Sequence, residues 1–259
     1  MNPVESKNNS KSSVKLPKRN SVLMVLSISF NIICVALIAI FVLKLVVYQQ
    51  VVVDGKSSYP NYDDDQMLLV NQVDKNFERG QVVAVYADKE VARNANYFTR
   101  FNAKFYLKRV VGLPGEDIEI IGGTVIIYNK ENPSGAILNE SYVLDSAKTQ
   151  QNYSKEIISR KKIPFGEFFL MGDNRPCSAD SRSFGTFSSF AIFGKENFRL
   201  TPVADFHIFA LPSTSFTPQT TAQIEALRKS IVGDATESGE KTRSRGEYIA
   251  DYCTKKAKN

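Results

Sequence analysis

The chain has 259 residues, 43% of them apolar, with 33 Lys+Arg against 27 Asp+Glu and a pI near 9.1. That is enough hydrocarbon for a sizeable core, which excludes a wholly disordered chain, and the length suits one domain with extensions or two small domains. One histidine (His207), no tryptophan and three scattered cysteines (Cys34, Cys177, Cys253) argue against a disulfide framework, a structural zinc site and a histidine-dependent hydrolase with its G-x-S-x-G elbow.

Residues 1–20 are polar, with Lys7, Lys11, Lys15, Lys18 and Arg19 against Glu5 alone. Nothing there can bury a core, and the segment reads as a disordered tail. Ser21 to Leu43 then runs for 23 residues without a charge, about 34 Å as a helix against a hydrocarbon layer of about 30 Å. A cleaved signal has a shorter apolar region that ends at a small-x-small site. Here LKLVVYQQVVV follows instead, so residues 21–47 read as a permanent transmembrane anchor. Five positive residues precede the span and Lys44 is alone in the next twelve. The N-terminus is therefore expected in the cytoplasm and everything beyond about residue 48 outside it. Asn31 and Cys34 read as passengers of the helix.

The body reads as strands. QVVAVYAD (81–88), FYLKRVVGL (105–113), DIEIIGGTVIIYN (117–129) and GEFFLMGD (166–173) are β-branched or aromatic runs bounded by turn formers. Gly122-Gly123 predicts a hairpin turn. No amphipathic helix separates these strands, which argues against a parallel α/β sheet. Residues 130–162 are polar and weakly patterned and predict an inserted lobe at about 125–163. His207 alternates with apolar residues in ADFHIFALP and reads as a structural strand residue. Within TAQIEALRKSIV (220–232), Ile224, Leu227 and Ile231 have helical spacing. The rest of the segment from 216 to 259 reads as a polar tail.

Three segments carry candidate chemistry. VDGKSSYPN (53–61) places serines in a Gly/Pro-bounded loop just after the span, where a hydroxyl ordinarily serves its own backbone. YLKRVVGLPGED (106–117) sets Lys108 and Arg109 on opposite faces of a strand. Phe105, Leu107, Val110 and Val111 crowd that lysine. Desolvation favours the neutral amine, and a neutral lysine can activate a serine hydroxyl without any histidine. MGDNRPCSADSRSFG (171–185) mixes Asp173, Asp180, Arg175, Arg182, Ser178 and Ser181 beside an apolar strand. It fits either an ordinary surface loop or a hydrogen-bonded network that holds a site in shape. Cys177 within it reads as inert packing, with a reactive thiol as the alternative.

Together these segments resemble the type I signal peptidases, membrane-anchored proteases with a Ser/Lys dyad. The third segment matches the G-D-N-R-x-x-S-x-D-S-R box at Gly172, Asp173, Asn174, Arg175, Ser178, Asp180, Ser181 and Arg182, and the second matches the K-R-V-V-G-L-P-G box. Glu78-Arg79-Gly80-Gln81-Val82-Val83 is similar to the R-G-D-V-V box, with Gln81 in place of Asp. The family's G-x-S-M-x-P-T box stands here as Gly55-Lys56-Ser57-Ser58-Tyr59-Pro60-Asn61, so Ser58 replaces Met and Asn61 replaces Thr.

The resemblance implies an all-β, barrel-like catalytic domain over residues 48–215, with a small inserted β lobe, behind one transmembrane helix. It implies Ser57 as nucleophile and Lys108 as general base, with Ser178 orienting the lysine. Asp173 with Arg109, and Asp180 with Arg182, would support the site. Gly55, Ser58, Tyr59 and Pro60 would form the oxyanion and substrate loop, the oxyanion being held by the Ser57 N–H because Gly55 has no hydroxyl. The implied reaction is endoproteolysis of exported preproteins after small residues, at the plasma membrane, with no metal or organic cofactor. The implied partners are signal-peptide-bearing preproteins, membrane lipid and the secretion translocon. Ser58, Asn61 and Gln81 also motivate an alternative, a membrane-tethered binding module that keeps the fold without turnover. Nucleic acid is disfavoured by where the charge sits. Residues 1–20 net +4, residues 219–259 net +2, and the body between them is neutral.

Overall fold

A computed structural model describes residues 21–87, 103–144, 156–200, 207–208, 211–212 and 214–237. The expected N-terminal tail, Cys253 and the C-terminal segment beyond residue 237 lie outside the described residues. Helix α1 (Ser21–Val46) is apolar on every side, and its Ser21–Leu43 stretch is long and apolar enough to cross a membrane. Asn31, the strongest polar group within it, donates from Nδ2 to Ser27 O one turn back at 2.7 Å, so its amide is satisfied inside the helix.

The remainder is mostly antiparallel sheet. One curled sheet runs in the order β1 (Tyr48–Val52), β2 (Met67–Asn71), β11 (Ile192–Arg199), β3 (Val82–Tyr86), β4 (Phe105–Gly112), β9 (Glu167–Met171), β10 (Phe187–Ser188). A short strand β12 (His207–Ile208) pairs with β11, so His207 lies in a strand, opposite Arg199. The second sheet is ordered β13 (Ser215–Pro218), β7 (Ala136–Asn139), β6 (Thr124–Tyr128), β5 (Asp117–Ile121), β8 (Ile157–Lys162). Gly122 and Gly123 join β5 to β6 with φ of 57° and 75°, the left-handed pair that a two-residue hairpin turn requires.

Continuous apolar strands fill the interior. β3 is buried on both faces. Val83 and Val85 pack with Val110, Leu170 and Ile192 on one side, and Ala84 and Tyr86 with Val51, Val70, Phe105 and Phe193 on the other. Val111, Phe169 and Met171 of the first sheet share a core with Ile118, Ile120, Val125, Ile127 and Leu138 of the second, which joins the two sheets. Helix α3 (Thr221–Glu237) extends past the expected helix at 220–232. Its Ile224, Leu227 and Ile231 pack on Ile121, Ile126, Tyr128 and Ile137 of the second sheet. The second sheet thus takes β13 from residues beyond the polar 130–162 stretch and is covered by the C-terminal helix.

Candidate active site

The serine loop leaves β1 and returns to β2. Val53 N donates to Gln66 O and Asp65 N to Val53 O, which closes its base. Val53 and Tyr62 anchor the two limbs in a buried cluster with Leu68, Val82 and Leu107. Gly55 has φ of +83° and donates its N–H to Asp64 Oδ1 at 2.7 Å. Among the serines, Ser58 turns inward: it is 3% exposed and its hydroxyl donates to Leu107 O at 3.2 Å. Ser57 is half-buried. Tyr59, in a cis bond to Pro60, is exposed.

Strand β4 brings its lysine to that serine. Lys108 stands opposite Val83, and its Nζ donates to Ser57 Oγ at 2.8 Å. Only 4% of Lys108 is exposed. Its pKa falls from 10.5 to about 8: burial lowers it most, Asp180 and Asp173 oppose that in part, and Arg182 adds to it. The Tyr106 ring centroid lies 5.6 Å from the amine. Arg109, the next residue, faces away, as strand alternation demands. It meets Asp173 in a bidentate pair, with Nε to Oδ1 at 2.7 Å and Nη2 to Oδ2 at 2.5 Å, both side chains 2% exposed. Burial disfavours the guanidinium charge, but Asp173 outweighs it and the net shift is upward. Arg109 Nη1 also donates to Gly80 O at 2.7 Å.

The segment after β9 folds back under both. Gly172 permits this: a Cβ there would collide with the Ser178 side chain and with Ser57 O. Ser178 and the serine loop therefore pack onto one glycine, and Ser178 is fully buried. Asn174 staples the loop twice, donating its N–H to Ser57 O at 3.0 Å and its Nδ2 to Lys56 O at 2.9 Å. Asp180 caps the short helix α2 (Ser181–Phe184) by accepting from Arg182 N, accepts from Gly172 N at 3.0 Å, and pairs with Arg182 Nη2 at 2.7 Å. Ser181 Oγ accepts from Leu170 N at 2.8 Å.

The structure therefore brings Ser57, Lys108, Ser178, Asp173, Arg109, Asp180 and Arg182 into one region, with Gly55, Ser58, Tyr59 and Pro60 on the serine loop. Each of the three departures from the family pattern makes a hydrogen bond. Ser58 bonds Leu107 O, and Asn61 Nδ2 donates to Asp173 Oδ2 and to Tyr142 O, both at 2.8 Å. Gln81 Oε1 accepts from Glu78 N at 2.8 Å, closing the turn ahead of β3.

Two further participants, Glu140 and Tyr142, carried no sequence signal. Arg175 is fully buried and pairs with Glu140, whose carboxylate also accepts from Tyr142 OH at 2.9 Å. The Tyr142 ring lies under Arg109, 4.3 Å from Cζ to centroid. Arg79 grips Glu116 at 2.6 Å.

One expectation is corrected. Cys177 is disulfide-bonded rather than an inert or reactive thiol, while Cys34 is free.

These features define a mostly-β protein with an apolar N-terminal helix and a serine held against a buried lysine. The family model described as signal peptidase, peptidase S26, matches residues 26–201, and the chain belongs to that family. Signal peptidase I of Bacillus caldolyticus is 29% identical over 182 residues, 66% of this chain and 90% of the relative. Signal peptidase IB of Staphylococcus aureus (strain COL) is 27% identical over 191 residues, 67% of this chain and 88% of the relative. A crystal structure of a signal peptidase I from Enterococcus faecalis aligns at 25% identity with a TM-score of 0.34, covering 46% of this chain and 96% of that one.

Proposed function

We propose that the protein is a single-pass membrane serine endopeptidase that removes N-terminal signal peptides from exported preproteins after small residues, with Ser57 as nucleophile and Lys108 as general base. The observation that carries this reading is the 2.8 Å contact between Ser57 Oγ and the buried Lys108 Nζ. A lysine at its ordinary pKa holds its proton at neutral pH. One pulled down to about 8 is neutral in about a tenth of molecules at pH 7 and in most at pH 9.

The neutral amine takes the Ser57 hydroxyl proton as Oγ bonds to the scissile carbonyl carbon. The Ser57 N–H holds the resulting oxyanion. The Lys108 ammonium then protonates the departing amine, the C–N bond breaks, and an acyl-serine remains. Water, deprotonated by the same amine, displaces the serine and restores both groups. Ser178, buried beside Gly172, orients the lysine, while the Arg109–Asp173 and Arg182–Asp180 pairs fix the frame. Ser58 is a poor rival nucleophile because its hydroxyl is buried and committed to Leu107 O.

In this reading the peptidase domain begins at about residue 48 and takes in β13 and helix α3, on the extracytoplasmic side of the plasma membrane. The cationic flank before the span supports that orientation. So does the disulfide at Cys177, since such bonds persist in oxidising compartments. Anchoring places the enzyme at the depth where a preprotein's own apolar segment presents its cleavage site, which raises the effective concentration. Preproteins, lipid and the secretion translocon are the partners this reading expects.

The test is cleavage of a preprotein bearing an Ala-x-Ala site by the full chain in detergent or lipid. Ser57→Ala and Lys108→Ala are each expected to lower kcat by about 10³-fold or more. Cleavage that survives Ser57→Ala but disappears in Ser58→Ala contradicts the assignment, and an inert but folded wild-type chain favours the binding module.

A further inference from the structure

Strand β11 sends two polar side chains behind the serine loop that no motif marks. Glu196 and Arg199 are three residues apart, and in a regular strand that odd spacing points side chains to opposite faces. Here the pairing with β2 slips: Glu196 stands opposite Val70, Phe198 opposite Leu69 and Arg199 opposite Leu68. Asn197 is the extra residue of a bulge. Val70 and Leu68 share one buried face of β2, so the bulge turns Glu196 and Arg199 to the same side.

On that side lies the end of the serine loop. The Tyr62 hydroxyl donates to Glu196 Oε2. Arg199 Nη2 donates to Asn61 O at 2.6 Å, and its Cζ lies 4.8 Å from the Tyr62 ring centroid. The Asn61 side chain is tied from the opposite direction, to Asp173 and Tyr142 O. Residues 61–62 are therefore gripped from β11 and from the Arg109–Asp173 pair at once. Glu196 Oε1 and Arg199 Nε are buried and make no hydrogen bond among the described residues. Burying them so opposes folding, and packing alone would be better served by an apolar pair.

We propose that Glu196 and Arg199 are positioning residues for the reaction, holding the Asn61–Tyr62 segment so that Ser57 Oγ stays in reach of Lys108 Nζ. The inference rests on the Ser57/Lys108 reading above. Burial raises the Glu196 carboxyl to about 7; the Tyr62 hydrogen bond, Arg199 and Arg109 pull it down, and Asp173 pushes it up.

The experiment measures kcat, KM, the pH profile and thermal unfolding of the full chain in detergent or lipid on the Ala-x-Ala preprotein. Arg199→Ala and Glu196→Ala are expected to lower kcat about 10- to 100-fold with KM within about twofold. Their ascending pH limb should move above the wild-type position, because a looser loop admits water to Lys108. Arg199→Lys, which keeps one donor, should fall between wild type and Arg199→Ala and carry a smaller limb shift. Lower thermal stability with wild-type kcat and an unmoved limb overturns the proposal. If the alanine variants do not fold, Arg199→Lys decides it by the same two readouts, wild-type values again overturning it. Ser57→Ala is run alongside. Residual cleavage there sinks the nucleophile assignment itself, whereas an inactive Ser57→Ala beside an unperturbed Arg199→Ala sinks only the positioning role.

Discussion

In the core between the two sheets, Ile118, Ile120, Val125 and Ile127 of the second sheet are almost wholly removed from water and pack in an apolar cluster. Around the Ser57 loop, at the end of the first sheet, Lys108, Arg109, Asp173, Arg175, Asp180 and Arg182 are removed from water nearly as completely. The first region is stabilised by burial itself. In the second, burial opposes folding, and each arginine is held by a carboxylate: Arg109 by Asp173, Arg175 by Glu140, Arg182 by Asp180. Lys108 differs from all of them, because its amine meets a serine hydroxyl rather than a carboxylate. Two adjacent residues on one strand show what that does. Burial with Asp173 in contact leaves Arg109 more firmly charged, while burial without a contacting anion brings Lys108 down to about 8. Among the described residues, charge pairs thus surround a lysine whose amine meets no carboxylate within hydrogen-bonding distance.

Breaking a pair should do the most damage. Asp173→Ala strands Arg109 in the interior and frees Asn61, with an expected loss of about 3–5 kcal/mol by denaturant unfolding; a loss below about 1 kcal/mol would mean the pair is not the frame. Lys108→Met should do the opposite. It abolishes cleavage yet stabilises the fold by about 1–3 kcal/mol at pH 7, because it removes a buried amine that must shed its proton or its hydration.

The sign of the linkage follows. The folded pKa of about 8 lies below the ordinary 10.5, so between those values the unfolded chain binds a proton that the folded chain has lost. Wild-type stability should therefore gain from this group as pH rises from 8 towards 10.5, and Lys108→Met should lack that gain in pH-dependent melting. In the apolar region, Ile127→Val should cost about 0.5–1.5 kcal/mol and leave kcat unchanged. Smallest is Gln81→Asp, a change at the turn ahead of β3 expected to alter stability by no more than about 0.5 kcal/mol.

What the sequence revealed followed locality. The apolar runs that became β3, β4 and β9, the Gly122-Gly123 turn and the apolar span each depend on neighbours within a few residues. So do Lys108 and Arg109, whose divergence is strand geometry. Two of the contacts around the site do not. Glu140 meets Arg175 across 35 residues and Tyr62 meets Glu196 across 134, and neither Glu140 nor Glu196 lies in a segment that its own neighbours mark as buried. The roles of Glu196 and Arg199 depend further on a bulge that reverses the strand's parity, which no alternation pattern announces. Asn61, Ser58 and Gln81 looked like losses against the family pattern; their hydrogen bonds depend on which carbonyl or carboxylate the fold brings near.

In the proposed mechanism, burial makes Lys108 a base for Ser57. This is tested most directly by the pH dependence of kcat/KM for the full chain on an Ala-x-Ala preprotein. The rate is expected to climb about tenfold per pH unit below an apparent pKa near 8 and to level above it, with no such limb in Lys108→Ala. A profile flat from pH 6 to 10, or the same limb persisting in Lys108→Ala, would contradict it.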